Sequence, residues 1–108
     1  MAWSRIAYRL VHSELLDGTA TLVFAGELDL TAIAALARDL DQVLARQPSR
    51  VVLDLNRVTF VDVAAARLLA GATRRRPAAG PPVLRRAAPE ARRVLALTGL
   101  DALCEFDD

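Results

Sequence analysis

A chain of 108 residues with 14 basic and 13 acidic side chains, for a net charge of +1, has room for one hydrophobic core. It carries neither the positive field of a nucleic-acid binder nor an acidic tail. One cysteine, Cys104, and one histidine, His12, exclude an intramolecular disulfide and a zinc cluster, and the lone thiol suits a reducing, cytoplasmic setting.

No apolar run approaches the roughly 20 residues that a membrane-spanning helix needs. The first residues lack a cationic start followed by an apolar block, so the expectation is a soluble, unexported protein without direct membrane insertion. Every basic residue is arginine, and abundant alanine inflates the 54% hydrophobic content. The core must therefore come from a limited set of Val, Leu, Ile and Phe residues. Trp3 reads as a terminal packing residue.

Residues 6–12 alternate apolar and polar side chains, residues 19–28 are a stronger strand, and Asp17-Gly18 between them signals a hairpin. From Thr31 the period changes. Ile33, Leu36, Leu40, Val43 and Leu44 recur at helical steps, with Arg38, Asp39, Asp41 and Gln42 on the other side. Asp29 or Thr31 supplies the N-cap, and Pro48 ends the segment.

Residues 50–55 are short and apolar, as an interior parallel strand is, and a short loop then leads to Asp62 as the next N-cap. A helix over 63–75 places Leu68, Leu69 and Ala72 inward. Arg74, Arg75 and Arg76 stand near its C-terminus, where cations complement the helix dipole. Pro77 and Gly80-Pro81-Pro82 force a loop. A short strand over 83–87 precedes a helix opened by Pro89, with Val94, Leu95 and Leu97 inward and Gly99 as its stop; a weak last strand lies at 103–106.

This alternation predicts an α/β fold, one domain over residues 1–108, with a mixed sheet of four to five strands and its helices mainly on one face. The other sheet face would be exposed or lightly covered, which leaves a homodimer open.

Three landmarks stand in order: Gly26-Glu27-Leu28-Asp29, then Val52-Leu53-Asp54-Leu55 before Phe60-Val61-Asp62, then Leu97-Thr98-Gly99-Leu100. Together they resemble the STAS family, the fold of bacterial anti-sigma factor antagonists. The resemblance implies a non-catalytic module that binds an anti-sigma factor, often a serine kinase, and is released by phosphorylation of a hydroxyl after the acidic residue. Here Asp62 stays, Val63 and Ala64 replace the usual hydroxyl pair, Ala65 the usual glycine, and Ala66 a larger aliphatic residue. Alanine has no oxygen to esterify, so position 64 is not a phosphoacceptor.

The resemblance implies a partner-binding surface formed by Asp29, Thr31, Thr59, Asp62, Val63, Ala64, Ala65 and Arg67. Read from the residues, Asp62 is first an N-cap, worth about 1 kcal/mol, with partner contact second. Asp29 and Thr31 have the same two readings, because strand-to-helix loops gather at the carboxyl ends of parallel strands. Thr59, a turn or strand-end residue, has the one hydroxyl between positions 56 and 66 and is an alternative acceptor. The arginine pairs at 85–86 and 92–93 read as solvated charge balanced by acidic residues.

Two other functions fit the same fold: a small cytoplasmic subunit regulating an ABC-type lipid transporter ATPase, and a small-ligand sensor. No acid, base and nucleophile assemble from neighbouring motifs, and no glycine-rich phosphate loop is present, so neither catalysis nor a cofactor is expected.

Overall fold

The computed structural model describes residues 6–74, 80–99 and 104–107. Trp3, Arg75, Arg76, Pro77 and the start of the last expected strand lie outside these residues. Five strands, β1 (Arg9–Leu16), β2 (Thr19–Leu28), β3 (Arg50–Val61), β4 (Val83–Arg85) and β5 (Glu105–Asp107), form one sheet in the order β1-β2-β3-β4-β5. β1 is antiparallel to β2, and the other neighbours are parallel. Three helices, α1 (Ile33–Leu44), α2 (Val63–Arg74) and α3 (Pro89–Leu97), alternate with the strands, and a 3-10 turn, Leu30–Ala32, leads into α1.

The first two strands meet at Asp17-Gly18, where both residues have positive φ, 51° and 80°. Two such residues make the tight turn whose twist matches a hairpin. β1 runs on to Leu16, past the expected end at His12, because pairing with β2 carries it. Ser13, Glu14 and Leu16 stay exposed on this edge strand, so their side chains give no burial signal.

Alternate residues of β2, Ala20, Leu22, Phe24 and Leu28, are buried towards the helices. They share one core with Leu53, Leu55, Val58 and Val61 of β3 and with Leu36, Leu40 and Val43 of α1. α2 packs between α1 and α3. Its buried side is built from Ala65, Ala66, Ala70 and Ala72 around a single large residue, Leu69. Leu68 is half-buried against the same core.

Three expectations change. The stretch after Leu55 is strand up to Val61, held by pairing of residues 57–61 with β2 across two register shifts, where a loop was expected. β4 ends at Arg85, because Arg86 turns the chain with φ 57°. In α3, Leu95 is buried and Val94 half-buried, but Leu97 is exposed and Ala91 takes the inner place. Two residues advance a helix by about 200°, so Leu95 and Leu97 point to opposite sides.

The sheet face away from the helices carries His12, Glu14, Thr21, Val23, Asp54 and Arg85 by register. It is laced with polar pairs: a hydrogen bond between His12 Nε2 and Glu14 Oε1 at 2.9 Å and an ion pair between Arg85 Nε and Asp107 Oδ2 at 3.2 Å. Asp54, only 4% exposed, accepts from Arg86 Nη2 at 2.6 Å and from the Asn56 amide at 2.9 Å. A buried carboxylate so partnered avoids most of the cost of losing water.

The segment before β1 is strapped across the end of β2. The Glu27 amide donates to the Ile6 carbonyl at 2.8 Å, and Tyr8 donates its hydroxyl to Asp39 Oδ2 of α1 at 2.6 Å. Burial of the Tyr8 ring, then the bond to Asp39 and its negative charge, push the phenol pKa well above its usual value. The folded chain thus holds this proton more tightly than the unfolded one. Stability is therefore expected to be unaffected by this group below about pH 10 and to fall as pH rises beyond it. Urea melts of wild type and Tyr8→Phe from pH 9 to 11.5 check this: the wild type should lose more stability over that interval, and parallel curves would contradict it.

Candidate functional site

β2 and β3 run side by side and end together, Leu28 opposite Val61. Each then delivers an aspartate. Asp29 Oδ1 accepts from the Thr31 amide at 3.0 Å and from the Thr31 hydroxyl at 2.6 Å, closing the 3-10 turn. Asp62 Oδ1 accepts from the Ala65 amide at 2.8 Å, and the Asp62 amide donates to the Leu28 carbonyl at 3.0 Å. The second aspartate thus caps α2 and ties its start to β2. Both carboxylates act as caps, which satisfies amides that the first helical turn leaves without partners. Asp29 is buried, whereas Asp62 is half-buried and keeps part of its surface at the rim.

The first turn of α2 presents Val63, 37% exposed, and Ala64, half-buried, with exposed Arg67 one turn on. Ala65, expected on this surface, is fully buried and offers a partner no side-chain area, because it faces the sheet. Thr31 and Thr59 are exposed but belong to different hollows. Thr31 lines a cleft of about 220 Å³ with Ala7, Tyr8, Glu27 and Asp29. Thr59 lines a groove of about 200 Å³ between the end of β3 and α3.

Two apolar residues absent from the sequence expectation complete the surface: Leu30, 73% exposed, and Phe60, 50% exposed. With Val63 they place three large apolar side chains at the carboxyl end of the β2–β3 pair. The signal available beforehand was weak. Phe60 precedes an inward Val61, so alternation along a strand would turn it outward.

Among the described residues, no group of three or more His, Cys, Asp or Glu side chains is placed to hold a metal ion, and no helix is long and apolar enough to cross a membrane. What the site offers chemically is an apolar surface with a carboxylate and a guanidinium at its rim.

A family model described as "Mlab, STAS domain" matches residues 11–105, and the chain belongs to the STAS domain family. Within it, the chain resembles the anti-sigma factor antagonists. It is 37% identical over 54 residues to the anti-sigma-F factor antagonist RsfB of Mycobacterium tuberculosis, a match covering 50% of this chain and 44% of that protein. The match thus spans less than half the length of this relative.

Among solved structures, the fold matches an anti-sigma factor antagonist from Mycobacterium paratuberculosis with a TM-score of 0.83 and 26% identity, covering 94% of this chain and 86% of that one. The unphosphorylated form of the antagonist SpoIIAA, a Bacillus cell fate determinant, matches with a TM-score of 0.74 and 22% identity over 94% and 89% of the two chains. The chain is an anti-sigma factor antagonist-like STAS domain.

Proposed function

We propose that this domain is a non-catalytic protein-binding module of the cytoplasm that docks an anti-sigma factor of the serine-kinase type, without phosphorylation control at Ala64. The observation that carries the reading is the exposed apolar set Leu30, Phe60 and Val63, gathered around the Asp62 cap where the chain has a methyl group at 64. A phosphate there would bring roughly −1.5 to −2 charges to a surface whose other exposed side chains are largely apolar. A partner fitted to such a surface would lose contact on its arrival. Ala64 keeps the surface in its uncharged form, and Arg67 supplies a rim contact for an acidic group.

The test is calorimetry of the domain against the purified anti-sigma kinases of its own cell. Wild type is expected to bind one of them, Ala64→Glu to weaken that binding at least tenfold, and Phe60→Ala to weaken it about as much. Absence of binding to every such protein would remove the reading.

The missing hydroxyl at 64 also favours a second reading, a subunit regulating an ABC-type lipid transporter ATPase. That partnership needs no phosphorylation step. Stable co-purification with a nucleotide-binding transporter subunit, in place of an anti-sigma factor, would select it.

A further inference from the structure

β3 is much longer than its neighbour on one side. β4 pairs with Val52, Leu53 and Asp54 alone, so from Leu55 to Val61 the described strand has a ladder on the β2 side only. The chain leaves that edge at Arg86, whose amide donates to the Asp107 carbonyl at 2.6 Å and whose positive φ turns it away from β3. Beside this unpaired edge lies the groove of about 200 Å³, walled by Val58, Phe60 and Val61 on the strand and by Ala88, Ala91 and Val94 on the helix side. Thr59 and Glu90 are its polar lining, and Glu90 is the sole charge among the lining residues. It is exposed in the first turn of α3.

An unpaired strand edge offers backbone amides and carbonyls to another chain, and alternate side chains of an added strand then fall into pockets beside it. We infer that the β3 edge and this groove receive an extended segment of the protein partner, which adds a short strand alongside residues 55–61 and places one aliphatic side chain in the groove with a cationic residue facing Glu90. The volume suits one large side chain, and the single carboxylate sets the sign of its neighbour. The groove adjoins the strand-end surface through Phe60, which belongs to both. This inference deepens the proposed function and rests on it for the partner being a protein, but it concerns a different part of the surface.

The probe is a phage-displayed library of random twelve-residue peptides selected on the intact domain, followed by synthesis of the enriched sequences. Enriched peptides are expected to alternate apolar residues and to carry Arg or Lys beside one of them. Binding should slow hydrogen exchange of backbone amides in the 55–61 stretch. Glu90→Lys is expected to weaken binding at least tenfold, and Ala88→Trp, an exposed position that can fill the groove without touching the core, to abolish it.

Ala64→Glu should leave peptide binding unchanged, which separates this site from the surface tested with the anti-sigma kinases. A library yielding no binder, or binders indifferent to Glu90→Lys and Ala88→Trp, would overturn the inference whatever the kinase experiment shows. Conversely, peptide binding of the expected kind would stand even if no kinase bound.

Discussion

Replacing Phe24 by alanine is expected to lower the stability of the domain by about 3–5 kcal/mol. The ring is fully buried on the helix-facing row of β2, and its centroid lies 6.0 Å from that of Tyr8. The core it shares with α1 and α2 includes the alanines Ala65, Ala66 and Ala70, whose methyl groups have no freedom to swing into a gap. The cavity would therefore persist, which puts the cost towards the upper end of the range. Urea unfolding measures it as a lower midpoint at unchanged slope. A loss below about 1 kcal/mol would mean that the helices close over the hole and that the alanine face is not a rigid wall. Since β2 delivers Asp29 and the turn after it, the same substitution should loosen the strand-end surface.

Gly26→Ala is expected to cost about 2–3 kcal/mol and to release the strap before β1. Gly26 has φ 83°, and a methyl group there would stand 2.2 Å from the Ala7 carbonyl oxygen and 2.8 Å from that of Ile6. The left-handed backbone alone costs a side chain roughly 1–2 kcal/mol. Moving the strap aside also breaks the bond from the Glu27 amide to Ile6, at about 0.5–1.5 kcal/mol. Hydrogen exchange separates the two contributions: the Glu27 amide should lose protection while amides in the middle of β2 keep theirs relative to global unfolding. Full protection at Glu27 would show that the strap tolerates the methyl group and that the close approach does not constrain it. Because Ala7 and Tyr8 wall the cleft that holds Thr31, release of the strap would open the β2 side of the site.

What could be read beforehand was whatever the chain writes locally. The stripe Leu36, Leu40 and Val43 is buried as its spacing requires, Asp17-Gly18 makes the turn, and Asp62 caps α2. What could not be read depends on partners distant in sequence. Asn56 and Arg57 interrupt the apolar run of β3, and only the ladder to β2, with its two register shifts, keeps residues 57–61 extended.

The site divides in the same way. Val63 and Ala64 stand at the outer start of α2 by their distance from the cap, whereas Ala65 is carried inward because a helix turns each successive residue by about 100°. The exposure of Leu30 and Phe60 is not legible in the sequence, because an apolar letter carries no mark of exposure. They reach the same end of the sheet only because two strands end side by side.

Arg86 joins two regions that lie on opposite sides of the sheet. Its guanidinium holds the Asp54 carboxylate on the charged face, while its backbone makes the turn from which Ala87 and Ala88 lead to Pro89, the first residue of α3. The wall of the groove is thereby anchored to an ion pair that the groove never touches. A change made at Asp54 has a path of two residues to the position of α3, so the arginine that neutralises a buried acid also sets where a helix begins. A substitution that frees Arg86 from Asp54 is therefore expected to shift the start of α3, and with it the wall of a groove on the other face.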